Sequence, residues 1–121
     1  MSDKILIKNG KLVNPRGKSG MFDILVEDGK VSCIAEAGSM TGDDVIDAGG
    51  CIIAPGFVDV HSHFRDPGQT YKEDILTGAE AAKRGGYTSI VLMANTIPTV
   101  DNADTVRYVL DKGKETGINI H

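Results

Sequence analysis

The sequence predicts an α/β chain in two portions: a small β-rich part over residues 1–54, then two strand–helix units and the start of a third strand over residues 55–121. Three observations predict it. Short β-branched runs broken by Gly-containing turns fill the first fifty residues. Longer segments of alternating strand and helix character follow Ala48-Gly49-Gly50. The 15 glycines among 121 residues supply the turns that both parts need.

In the first portion Ile5-Leu6-Ile7 precedes Asn9-Gly10, and Lys11-Leu12-Val13 precedes Asn14-Pro15-Arg16-Gly17. Phe22 to Val26 runs into Glu27-Asp28-Gly29, and Lys30 to Ile34 follows. Asn-Gly and Asp-Gly between apolar runs provide the positive φ of primed turns, so the expectation is a small antiparallel sheet of hairpins. Strands this short bury little area alone, and the sheet needs something to pack against.

In the second portion Phe57 to His61 is a strand ending in polar residues. Glu73 to Arg84 carries Ile75, Leu76, Ala79 and Ala82 at helical spacing, with Gly85-Gly86 where a C-cap belongs. Thr88 to Ala94, nearly all apolar from Ile90, reads as a parallel strand covered on both faces. Ala103 to Glu115 is the next helix, with Val106, Val109 and Leu110 on one stripe, and Ile118 to His121 opens another strand. Two strand–helix units and the start of a third cannot close an eight-stranded (β/α) barrel. The chain is therefore expected to be the N-terminal part of one a few hundred residues longer, carrying an incomplete site.

Composition narrows the function. Thirteen Lys+Arg against 17 Asp+Glu give a net charge of −4, with no basic block and no Trp, so a nucleic-acid footprint is not expected. Met1-Ser2-Asp3-Lys4 lacks the layout of a signal peptide, and the longest nearly apolar stretches, Cys51 to Val58 and Ile90 to Ala94, fall far short of a membrane span. The chain reads as cytoplasmic. Cys33 and Cys51 form no CxxC pair and are expected as small buried hydrophobes.

The chemistry concentrates in Asp59-Val60-His61-Ser62-His63-Phe64-Arg65-Asp66-Pro67-Gly68. Side chains alternate along a strand, so His61 and His63 face the same way, about 6.5–7 Å apart, and both can turn to one ion. Arg65 lies two further on, where a guanidinium could hold a carboxylate; the alternative is a surface arginine paired with Asp66 or a helix end. Asn95 follows the second strand, placed either to offer an amide to a polar ring or to make an Asx turn into Thr96-Ile97-Pro98. Asp59 sits deeper on the histidine face, suited to support rather than ligation. Asp101, Asp104 and Glu73-Asp74 read as helix-start charges.

The run from Ala54 to His63 resembles the signature of the metal-dependent amidohydrolase superfamily. Its continuation from Phe64 to Ile75, with Ala82 to Gly86, Thr88 and Met93-Ala94-Asn95-Thr96, resembles the bacterial dihydroorotases related to the multifunctional pyrimidine enzymes. The resemblance covers the whole chain. It implies an N-terminal β-sandwich portion followed by the first units of a TIM barrel, and reversible cyclisation of N-carbamoyl-L-aspartate to L-dihydroorotate in de novo pyrimidine synthesis. Residue by residue, it implies that His61 and His63 bind zinc, one or two ions per subunit, and that Arg65 and Asn95 hold the substrate carboxylate. The remaining ligands and the acid/base Asp would lie beyond residue 121, leaving this piece inactive alone. A homo-oligomer is implied for the full-length protein, with aspartate transcarbamoylase as a partner the resemblance allows. Rival readings are a hydantoinase- or allantoinase-like cyclic amide hydrolase, a non-catalytic structural partner of aspartate transcarbamoylase, and a small β-rich binding module.

Overall fold

The computed structural model describes residues 4–13 and 17–121. The chain divides into two compact units, Met1–Pro55 and Gly56–His121.

In the first unit β3 (Gly20–Glu27) pairs antiparallel with β1 (Lys4–Lys8), β2 (Lys11–Leu12) and β4 (Lys30–Glu36). β5 (Asp44–Asp47) and β6 (Ile52–Ile53) then add parallel to β1 and β2. The sheet is mixed, which corrects the expectation of antiparallel hairpins throughout. One of the turn signals reads as expected: Glu27 faces Lys30 across Asp28-Gly29, both at positive φ (50° and 73°). Asn9-Gly10 does not make a hairpin. β1 and β2 lie end to end along β3, and the four steps from Ile7 to Lys11 face only three from Ile24 to Met21. Asn9, at φ 63°, therefore sits in a one-residue bulge. A dipeptide suited to positive φ serves a bulge as well as a turn. The turn expected over Asn14-Pro15-Arg16 lies outside the described residues. Leu6, Leu12 and Ile24 are the buried hydrophobes of these strands. Cys33 and Cys51 are free and exposed, against expectation: no residue of β4 is buried, and Cys51 lies in an exposed stretch just before β6.

The second unit runs β7 (Phe57–Ser62), α1 (Ile75–Arg84), β8 (Tyr87–Leu92), α2 (Ala103–Gly113), β9 (Asn119–Ile120), with the strands parallel in the order β7-β8-β9. Both helices open on a capping box. Asp74 accepts from Thr77 N–H and Asn102 from Thr105 N–H, while each threonine hydroxyl reaches back to its cap. That places the start of α1 two residues later than periodicity suggested. Ile75, Ala79 and Val109 on the helices meet Phe64, Ile90 and Ile120 in one core. Gly78 lets α1 close on Phe64, since a Cβ there would stand 2.7 Å from the ring. β8 is not covered on both faces: Ile90 is buried, but Val91 and Leu92 are partly exposed. Helices pack over one side of Ile90, and among the described residues nothing completes the other cover.

Candidate metal centre

The C-terminal ends of β7 and β8 are tied together, Met93 N–H donating to the Ser62 carbonyl at 2.8 Å. The histidines stand on this join. Asp59 faces Ile90 and Ser62 faces Leu92, so three steps on β7 oppose two on β8, and the extra residue makes a bulge over Val60-His61. Bulges re-aim side chains beside functional sites. Asp59 Oδ1 accepts the His61 backbone N–H at 3.0 Å, a supporting contact for the strand segment that carries the ligand candidate.

The bulge brings the His61 and His63 rings to a centroid separation of 5.1 Å, inclined at 64°. Two imidazoles on one tetrahedral ion, bound at about 2.0–2.1 Å, bring their ring centroids about 5 Å apart. The pair therefore fits a shared cation, and both side chains belong to exposed residues that an ion can reach. Among the described residues no third histidine, cysteine or carboxylate gathers with them.

Asn95 joins the pair. Its Oδ1 lies 2.9 Å from His63 Nδ1, so the amide is turned to the imidazole and not into an Asx turn. The loop is held instead by Thr96 N–H and Val100 N–H on the Ala94 carbonyl, and by Thr96 Oγ1 donating to the Pro98 carbonyl at 2.7 Å.

Arg65 is half-buried, with its backbone N–H on the Glu73 carbonyl and its carbonyl accepting from Gln69. The pairing with Asp66 is not made. Asp66 is buried and its oxygens are taken by Tyr108 Oη (2.7 Å), Lys112 Nζ (2.8 Å) and the Ile75 N–H (3.3 Å). Burial raises the Asp66 carboxyl, but its three donors outweigh that and hold it below the ordinary value; Lys112, hydrogen-bonded to Asp66 and beside Tyr108, is pushed up. This cluster pins the segment after the histidines onto α2. The sequence showed only the four-residue spacing of Tyr108 and Lys112, since Asp66 lies 42 and 46 positions away. Next along, Gly68 at φ 96° passes so close to Ile97 that a Cβ would overlap its carbonyl oxygen. The loops after β7 and β8 thus pack directly on each other. The structure joins His61, His63 and Asn95; among the described residues it shows no contact from the Arg65 guanidinium to them.

A sequence profile of the amidohydrolase family matches residues 44–110, more than half of the chain. The chain belongs to the amidohydrolase family. It is 53% identical over 118 residues to a dihydroorotase of Clostridium acetobutylicum, covering 96% of this chain and 28% of the relative. It is equally 53% identical over 116 residues to a dihydroorotase of Sulfurihydrogenibium, covering 94% and 27%. Among solved structures, the L-hydantoinase (dihydropyrimidinase) of Arthrobacter aurescens superposes with a TM-score of 0.80 at 34% identity, over 99% of this chain and 27% of that one. The chain thus spans little more than a quarter of the length of these family members. No helix among the described residues is long and apolar enough to cross a membrane.

Proposed function

We propose that the whole protein is a zinc-dependent dihydroorotase, cyclising N-carbamoyl-L-aspartate reversibly to L-dihydroorotate in cytoplasmic pyrimidine synthesis. The observation that carries this reading is the match to dihydroorotases at about half identity along nearly the whole chain. The paired rings of His61 and His63 support it from the geometry.

In this reading His61 and His63 hold the metal, and Arg65 and Asn95 receive the substrate carboxylate. When bound, the ion supplies Lewis acidity toward the carbonyl at which the ring opens or closes. Arg65 brings a planar fork of donors that matches a carboxylate, and among the described residues no carboxylate already occupies it. Binding the carboxylate there orients the chain that must fold back on itself, lowering the entropic part of the barrier. The acid/base carboxylate and the other metal ligands belong to the length of the relatives that this chain does not span. The 121 residues alone are accordingly expected to show no turnover, whereas the whole protein works as a homo-oligomer.

A hydantoinase-type activity is the second reading, favoured by the 0.80 superposition on L-hydantoinase. The test is to assay the whole protein with N-carbamoyl-L-aspartate and with a 5-substituted hydantoin, with and without a chelator. The proposal expects chelator-sensitive turnover of the first and little of the second; the reverse order overturns it. Arg65→Ala sharpens the distinction. A dihydroorotase should lose roughly 2–4 kcal/mol in kcat/KM, while an enzyme for uncharged rings should hardly change.

A further inference from the structure

Asn95 touches a candidate metal ligand directly, and the chemistry of that contact assigns more than carboxylate binding. An amide oxygen can only accept. With Asn95 Oδ1 at 2.9 Å from His63 Nδ1, a hydrogen bond across this contact requires the proton of a neutral His63 on Nδ1, which leaves Nε2 as the lone-pair nitrogen. The other end of the same amide is then decided: Nδ2, with two N–H donors, turns away from the ring, and among the described residues no protein acceptor meets it.

We infer that Asn95, beyond the carboxylate contact proposed above, is a positioning residue that fixes His63 as the Nδ1–H tautomer so that Nε2 is reserved for a divalent cation. The inference rests on the metal-site reading above, and it couples the two halves of the site through one side chain. Partners on the non-ligating nitrogen of a metal-bound histidine fix its tautomer and ring orientation, and losing them typically costs 10–100-fold in metal affinity. His61 differs: among the described residues its imidazole makes no hydrogen bond, and only its backbone N–H is held, by Asp59.

Two substitutions separate the functions. Asn95→Asp keeps an oxygen acceptor for Nδ1–H but replaces the donor with a second acceptor. Asn95→Ala removes both. The experiment uses the 15N-labelled whole protein, reading the His63 tautomer from two-bond proton–nitrogen correlations of the metal-free form at a pH where the imidazole is neutral. Zinc affinity is then measured by competition with a chromophoric chelator, and binding of N-carbamoyl-L-aspartate by calorimetry. The expected results are an Nδ1–H tautomer in the parent and in Asn95→Asp, and a mixed population in Asn95→Ala. Zinc affinity should fall about 10-fold or more in Asn95→Ala and stay within about 3-fold in Asn95→Asp. Carboxylate binding should fall in both. An Nε2–H tautomer in the parent overturns the inference, and so does unchanged zinc affinity in Asn95→Ala. If the tautomer and zinc results hold but the protein converts no N-carbamoyl-L-aspartate, the dihydroorotase reading fails while the role of Asn95 stands.

Discussion

Asp66 shows how a single side chain can matter to a site it does not enter. Its carboxylate is fully buried, and Lys112, whose side chain is 34% exposed, closes the pair at 2.8 Å. Removing one partner of a buried ion pair strands the other, at about 3–5 kcal/mol; the partial exposure of Lys112 argues for the lower end. Asp66→Ala is therefore expected to lower unfolding stability by about 3 kcal/mol in chemical denaturation. The pH dependence follows from the two shifts. Asp66 is depressed, so its contribution is present above the ordinary 3.8 and is lost as pH falls from there through the depressed value. Lys112 is raised, so its contribution is present below 10.5 and is lost as pH rises through the raised value. The stability gap between the parent and Asp66→Asn should be flat from about pH 5 to 9 and close toward both extremes. A gap that widens in acid would contradict this assignment of charge.

At the scale of elements, the helices are fixed at their starts and the loops at their closest approach. Asp74→Ala and Asn102→Ala each remove a side-chain acceptor from an N-terminal turn, and each should cost about 1 kcal/mol in thermal unfolding. Gly68→Ala is a harsher change. It combines a left-handed φ of 96° with a methyl placed on the Ile97 carbonyl, so the β7 and β8 loops must separate. The expected loss is about 3 kcal/mol or more, and under the proposed metal site zinc binding by the whole protein should weaken as well, because the same loops carry His63 and Asn95. A Gly68→Ala protein with parent-like melting would show that the loops can part without cost.

At the scale of the whole molecule, the second unit has apolar surface left over. Phe57, Val58 and Val60 are 60%, 58% and 70% exposed on β7, which is an edge strand among the described residues. Such an edge invites pairing with other chains. The 121-residue chain in solution should therefore bind an apolar dye and sediment in a concentration-dependent way, and Val58→Thr with Val60→Thr should reduce both. A monodisperse, dye-free monomer would mean that this face is less available than its exposure indicates.

By itself, the sequence determined what local chemistry can encode. Period-2 and period-3.6 patterns placed β7, α1, β8 and α2 to within a few residues; of the predicted helical stripes Ile75, Ala79 and Val109 are buried, whereas Leu76, Val106 and Leu110 are exposed, because spacing marks an apolar stripe but not how much of it neighbouring elements cover. The HxH spacing and the family signature marked His61 and His63 as a candidate pair, and the structure brings their rings together at the end of β7. Tertiary structure alone decided three things. A dipeptide fixes φ but not the strand it faces, so Asn9-Gly10 became a bulge when β2 continued along β3. The sequence left Asn95 between an Asx turn and an amide offered to a polar ring, and the joining of the β7 and β8 ends turned its amide oxygen to His63. Asp66 found Lys112 and Tyr108 rather than Arg65, because a buried charge takes the partners that packing brings to it, and a separation of more than forty residues leaves no local trace of that choice.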